Sequence, residues 1–296
     1  MTQSYRRSLE SRLQNEAARL GRDLNWLRRR HAFLRALHRL VAVQPELWAL
    51  KGGFAVELRR PGLARATRDV DLALRSEQAV DARDPRELSA LLRTALGVDV
   101  DGDGFSYTVD DPRRMAEDSY SRPAWRFRVV ASLAGKRFTD LRVDTICRPE
   151  ELVGLVPLDL TAGIAAPAGA PIRMIMAADL RQQFAEKLHA LTRMYQTGDS
   201  SRVKDLLDLV LLVEDGVQCD AELVRVTRTV FAVRQTHELP LDLGTVPAGW
   251  REPYRLLAEE LGLEPSDVDA AHRLVAGAWR TALSDTLSDT NRGTDT

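Results

Sequence analysis

The chain is short of cysteine, of lysine and of long apolar runs, and each shortage narrows what it can be. Among 296 residues there are two cysteines, Cys147 and Cys219, far apart and without a second ligand at metal-binding spacing. Neither a disulfide scaffold nor a zinc site is supported. The least charged stretch, Leu152 to Ile172, contains Asp159 and is broken by Pro157, Pro167 and Pro171. It cannot cross a bilayer as a helix. Arg6, Arg7, Glu10 and Arg12 stand where a secretory signal would need an apolar core. A cytoplasmic location is the expectation.

Lysine is the most telling shortage. Only Lys51, Lys136, Lys187 and Lys204 occur among 42 basic residues, so the other 38 are arginine. In such a background a retained lysine points to a site that needs a compact point charge rather than a planar fork.

What is present is ordinary for a globular protein: 44% hydrophobic and 29% charged residues, with a net charge of −1. The length suggests two domains, or one core with a helical extension. Charge is uneven, however. Residues 1–40 hold ten arginines against Glu10, Glu16 and Asp23. Such a segment could seat a polyanion, or could simply be a solvated helix face.

Hydrophobic spacing predicts a helix over 8–44, then a strand at Leu47–Leu50, a turn at Gly52-Gly53 and a short helix through Arg59. Thr67–Leu74 alternates with period two, as a half-buried strand does. Asp84, Pro85 and Glu87 supply an N-cap, a first-turn proline and a capping-box acid for a helix reaching Leu96. Trp125–Ala134 and Arg137–Ile146 read as strands joined at Gly135. From Ala178 the pattern turns helical, the last helix being capped by Ser266 and Asp269 and ending near Leu283. The expected division is a basic helical arm at 1–45, a mixed core at 46–175, a helical domain at 176–283 and a disordered polar tail at 284–296.

The chemistry centres on Gly52-Gly53 and, after fifteen intervening residues, Asp69-Val70-Asp71. Residues two apart on a strand share a face, so both carboxylates reach one spot. Acids so placed repel unless a cation sits between them, and paired Mg²⁺ (or Mn²⁺) ions suit such oxygen ligands in phosphoryl displacement. Backbone N–H groups at the glycine turn could meet a triphosphate. Asp144 is the best-placed third carboxylate, as a metal ligand or a proton acceptor. The plain reading of Asp144 is an edge-strand acid paired with an arginine; Asp140 is a weaker competitor. Gln183 and Lys187 lie one helical turn apart, and Arg202, Lys204, Asp205 and Asp208 follow, with Lys204 and Asp208 spaced for an i,i+4 pair. Three of the four lysines fall within these segments. The five histidines are scattered and read as packing or capping residues.

The order LKGGFAVEL, RATRDVDLAL, EKLHAL, RVKDLLDL resembles the AbiEii-type nucleotidyltransferase toxins, the MenT group included, within the polymerase-β superfamily; the likeness spans residues 45–215. It implies an α+β, bilobed protein: a small mixed sheet with flanking helices, and a helical C-terminal lobe. It further implies a toxin with a cognate antitoxin, and in some members transfer of nucleotides, CTP being one donor, to the 3′ acceptor end of tRNA. Carried over by position, Asp69 and Asp71 match metal ligands, Lys187 a lysine near the triphosphate, and Asp205 the acid of a Lys-Asp motif. The expected catalytic set is therefore Asp69, Asp71, Asp144, Lys187 and Asp205. Lys51, Gly52, Gly53, Thr67, Arg68, Lys204 and Asp208 are expected around the NTP, with Arg65 or Arg68 guiding triphosphate or RNA. One departure is Phe54, where the superfamily usually has a serine. Phosphate on Thr67, placed by an antitoxin with kinase activity, would set negative charge beside the metal acids. Two other readings share these motifs: a nucleotidyltransferase acting on a small molecule or protein side chain, and a non-catalytic RNA- or antitoxin-binding scaffold.

Overall fold

The computed structural model describes residues 3–60, 67–76, 84–115, 124–161, 172–193 and 202–292. Arg65 lies outside them. Two helices, α1 (Gln3–Leu20) and α2 (Leu24–Val43), replace the single helix expected over 8–44. The break falls at Gly21, whose φ of 62° is a left-handed conformation that favours glycine, and Asp23 restarts the helix by accepting from the Trp26 N–H at 2.8 Å. Most of α2 is buried, arginines included: Arg30 pairs with Glu57, Arg35 with Asp101 and Arg39 with Asp103. The helix is thus built into the core, and three of its basic residues are held there rather than offered to solvent.

There follow β1 (Trp48–Lys51), α3 (Gly52–Arg59), β2 (Asp69–Leu74), α4 (Pro85–Leu96), β3 (Phe105–Val109), β4 (Arg113–Arg114), β5 (Trp125–Leu133), β6 (Lys136–Cys147), β7 (Leu155–Asp159) and β8 (Met174–Ala178). Among the described residues the strands form one mixed sheet in the order β3-β5-β6-β2-β1-β8-β7, with β4 beside β5. The hairpin β5–β6 turns at Ala134 and Gly135, both at positive φ, the backbone that keeps a tight hairpin in step with strand twist. Crucially, β2 lies between β1, antiparallel, and β6, parallel. Asp144 therefore sits on a central strand, not an edge.

The C-terminal part is helical: α5 (Leu180–Thr192), α6 (Val203–Glu214), α7 (Ala221–Arg234), α8 (Arg251–Leu261) and α9 (Val268–Arg292). Side chains of Asp179 and Asp220 cap α5 and α7. For α9 the cap is Asp267, which accepts from the Ala270 N–H at 2.8 Å, rather than Ser266. This helix continues through 284–292, expected as a disordered tail, and Asp285 accepts from the Ala221 N–H at the start of α7. Among the described residues two large apolar cores result, one between the sheet and α1, α2 and α4, the other among α5 to α9, with a small third cluster of Ala185, Val226 and Val230 between α5 and α7. No described helix is long and apolar enough to cross a membrane. Both cysteines are free thiols.

Candidate active site

Strand register gathers the charged residues into a row. Lys51 on β1 stands opposite Asp71 on β2, Asp71 beside Asp144 on β6, and Asp144 opposite Arg126 on β5. Directly paired residues share a sheet face, so one row reads cation, acid, acid, cation. In the neighbouring row Asp69 stands beside Arg142, and Arg142 opposite Arg128. The structure thus brings Asp69, Asp71 and Asp144 onto adjoining strands of one face.

Gly52 opens α3 directly against this row. Its φ is 65°, and a Cβ there would lie 1.9 Å from Oδ2 of Asp71. No other residue fits without moving the acid. Phe54 is explained by packing: it is buried and its ring centroid lies 5.3 Å from that of Phe33 on α2. Gly53 is buried in the same first turn.

The helical part supplies the other wall. Lys187 Nζ lies 3.0 Å from Asp205 Oδ1 and 2.8 Å from Asp208 Oδ2. Asp208 is therefore held by Lys187, not by the Lys204 expected four residues before it; Lys204 is exposed and lies outside the cavity lining. A cavity of about 260 Å³ is lined by Lys51, Gly52, Asp71, Asp144, Lys187 and Asp205, among others. Gln183 is buried and donates to the Ala178 carbonyl at 2.9 Å.

Three expected residues have partners or surroundings that the sequence did not suggest, although Lys51 does line the cavity. Lys51 is buried with its ammonium 2.8 Å from Glu186 and 3.2 Å from Glu151, so carboxylates already surround the charge expected at phosphate. Thr67 precedes β2 instead of lying on it; it is buried, and its N–H donates to Glu57 at 3.2 Å. Arg68 is exposed and lines a second, larger cavity of about 640 Å³. Arg29, Arg113, Arg126, Arg128 and Arg142 also line it, against Asp110, Asp111 and Asp140. Asp140 pairs there with Arg128 and Arg137. Of the N-terminal arginines, Arg22 pairs with Glu260 and Arg28 with Glu10, which leaves Arg29 as the one of that group in the groove.

Sequence reading passed over four residues of the site. Arg126 grips both oxygens of Asp144, at 2.8 and 2.7 Å, and its Nη2 lies 3.6 Å from Asp69. Its place in the alternation of Trp125-Arg126-Phe127-Arg128 was the available signal. Glu151, fully buried, is bound by Lys51 and Arg234 and approached by Arg148. Glu186 sits beside Lys187 on α5 and turns to Lys51. Glu151, Glu186 and Arg234 come from segments far apart in sequence, and no local pattern marks them.

The electrostatics fit a cation. Burial, then the Asp144 charge, pushes the Asp71 carboxyl up to about 6, against the pull of Lys187 and Lys51. Oδ1 of Asp69 is buried without a hydrogen-bond partner, with Arg142 only at 3.8 Å. Oxygen donors of this kind match a hard divalent ion. As the side chains lie, no three His, Cys, Asp or Glu groups among the described residues converge tightly enough to hold one. Arg126 takes both oxygens of Asp144.

The profile of one protein family, described as nucleotidyl transferase AbiEii toxin of type IV toxin–antitoxin systems, matches residues 35–292. Among solved structures the chain is similar to MenT4, a nucleotidyltransferase toxin from Mycobacterium tuberculosis H37Rv. The TM-score is 0.61 and identity 19%, over 96% of this chain and 92% of that one. A nucleotidyltransferase-like protein from Paracoccidioides brasiliensis is more distant, at TM-score 0.39 and 14% identity over 78% and 91% of the two chains. The antibiotic-resistance factor ANT(2'')-Ia gives 0.35 and 18% over 68% and 92%. No curated protein sequence matches.

Proposed function

The chain belongs to the AbiEii family of nucleotidyltransferase toxins, and from that premise we propose that it transfers a nucleoside monophosphate from an NTP, CTP among the candidates, to the 3′ end of tRNA in the cytoplasm, with magnesium bound at Asp69 and Asp71. The observation that carries this reading is the register of Asp71 beside Asp144, with Gly52 pressed against Asp71 and Lys187 across the same cavity.

Asp69 and Asp71, with Asp144 as third donor, are the residues to hold the ion. When bound, a divalent cation supplies Lewis-acid charge neutralisation to the triphosphate and the attacking oxygen. Lys187, fixed by Asp205 and Asp208, is placed to offset negative charge on the departing pyrophosphate. Gly52 at the start of α3 lines the same cavity, and the backbone N–H groups of a helix's first turn suit phosphate oxygens. Arg68, Arg29 and Arg113 line the groove on the Asp69 side, where phosphates of an RNA end would find cations. The 3′-hydroxyl attacks the α-phosphorus in line, and the chain's work is positioning and charge compensation.

Membership of a type IV toxin–antitoxin family implies an antitoxin partner. If that partner carries kinase activity toward Thr67, the hydroxyl must first leave its buried position beside Glu57. The central test is incubation with labelled NTPs, Mg²⁺ and total tRNA. Wild type should label RNA 3′ ends and Asp69→Ala should not; equal labelling by both would end the proposal.

A further inference from the structure

Arg126 holds two positions at once. Its guanidinium is paired fork-to-fork with Asp144 and reaches within 3.6 Å of Asp69, so it bridges two of the three candidate ligands. The same side chain lines the arginine groove on the other side of those acids, and at 37% exposure it borders open space. Because guanidinium keeps its charge at all accessible pH, it stands between the carboxylates as a permanent cation.

We propose that Arg126 is a placeholder for the divalent ion: it holds Asp144 and Asp69 together until a metal takes its place, and is then released into the arginine groove. This rests on the reading of Asp69, Asp71 and Asp144 as metal ligands. Three carboxylates cannot remain crowded on one sheet face without a counter-charge, and Arg126 is the guanidinium bridging Asp144 and Asp69. The placeholder keeps the ligands ordered at a cost: whatever binds Asp144 must first displace two charge-assisted hydrogen bonds, which lowers apparent metal affinity by the fraction of molecules in which Arg126 is engaged. Once released, the guanidinium is free to turn further into the cavity it already borders with Arg68 and Arg142, where a phosphate of NTP or RNA would give it a new partner. Metal loading and polyanion docking are coupled through this one side chain.

The test is Mn²⁺ binding to the full chain without nucleotide, read by electron paramagnetic resonance of the free ion and by melting temperature. Arg126→Gln should bind Mn²⁺ about tenfold more tightly than wild type, the scale of one lost competing contact. In chelator it should melt below wild type, and Mn²⁺ should raise its melting temperature by more. Arg126→Lys, which keeps the charge but loses the fork, should fall between the two and serves if the glutamine variant does not fold. Arg137→Gln, an exposed pair to Asp140 outside this contact, should bind as wild type does. Equal or weaker Mn²⁺ binding by folded Arg126→Gln overturns the placeholder while leaving the metal site intact. If Asp69→Ala also binds Mn²⁺ as wild type does, the metal-ligand reading fails with it.

Discussion

Asp71 and Glu151 are both acids set deep in charged surroundings where burial raises each carboxyl, yet their neighbours leave the two shifted in opposite directions. Asp71 faces Asp144 and Asp69, while Lys187 is drawn to Asp205 and Asp208 and Lys51 to Glu151 and Glu186; its carboxyl is pushed up to about 6. Glu151 is also penalised by burial, but Lys51, Arg234 and Arg148 outweigh that and hold it well below the usual carboxylate range. The chain supplies cations to the acid that ties the sheet to α7 and withholds them from the acid at the cavity. An acid left short of counter-charge inside a cleft is one kept for an outside partner.

The comparison breaks most clearly under substitution. Asp71→Asn should lower nucleotidyl transfer by about 10³-fold or more, on the scale of removing a preorganised electrostatic group, with the fold retained. Glu151→Gln should do the reverse: it strands Lys51 and Arg234 in a buried network and should destabilise the protein by about 3–5 kcal/mol in urea unfolding, with activity falling only as the folded fraction falls. Equal loss of stability in both variants would erase the distinction.

pH sharpens the same contrast. For an acid whose folded value is raised, stability is full below the unfolded value near 3.8 and is lost as pH climbs through about 6. In chelator at pH 7, Asp71→Asn should therefore be more stable than wild type, by no more than about 3 kcal/mol, and the gap should close by pH 4. Glu151 acts with opposite sign: its contribution is present above its unfolded value of 4.5 and fades as pH falls. An Asp71→Asn protein that is less stable than wild type at pH 7 without metal would contradict the assigned environment.

Local patterns carried much of this. Asp69-Val70-Asp71 announces a strand with two acids on one face, and Asp84-Pro85-Arg86-Glu87 announces the helix that follows it. The pairing of β2 with β6 was not legible, because the parallel register of Asp71 with Asp144 joins segments some seventy residues apart and depends on the hairpin β5–β6. Arg126 went unseen for the same reason. Lys51 was read toward phosphate because it adjoins two glycines; Glu151 and Glu186, which hold it, come from a turn and a helix with no local link to it. The N-terminal arginines show the limit of charge counting. Arg30, Arg35 and Arg39 look like a solvated face until Glu57 and the acids of the 99–103 loop are folded against them.

Lys204 gives the smallest and most discriminating test. Scarcity of lysine argued that Lys51, Lys187 and Lys204 share a purpose, but burial divides them: Lys51 and Lys187 are each held between two carboxylates, whereas Lys204 is exposed on α6 and its expected partner Asp208 is occupied by Lys187. A surface ion pair would in any case contribute little. Lys204→Ala should change kcat/KM by less than about twofold and stability by under about 0.5 kcal/mol. Lys187→Ala, which leaves Asp205 and Asp208 without that ammonium, should cost far more in both. A tenfold fall in kcat/KM for Lys204→Ala, with KM for RNA raised, would mean that the acceptor reaches across α6 as well as along the arginine groove.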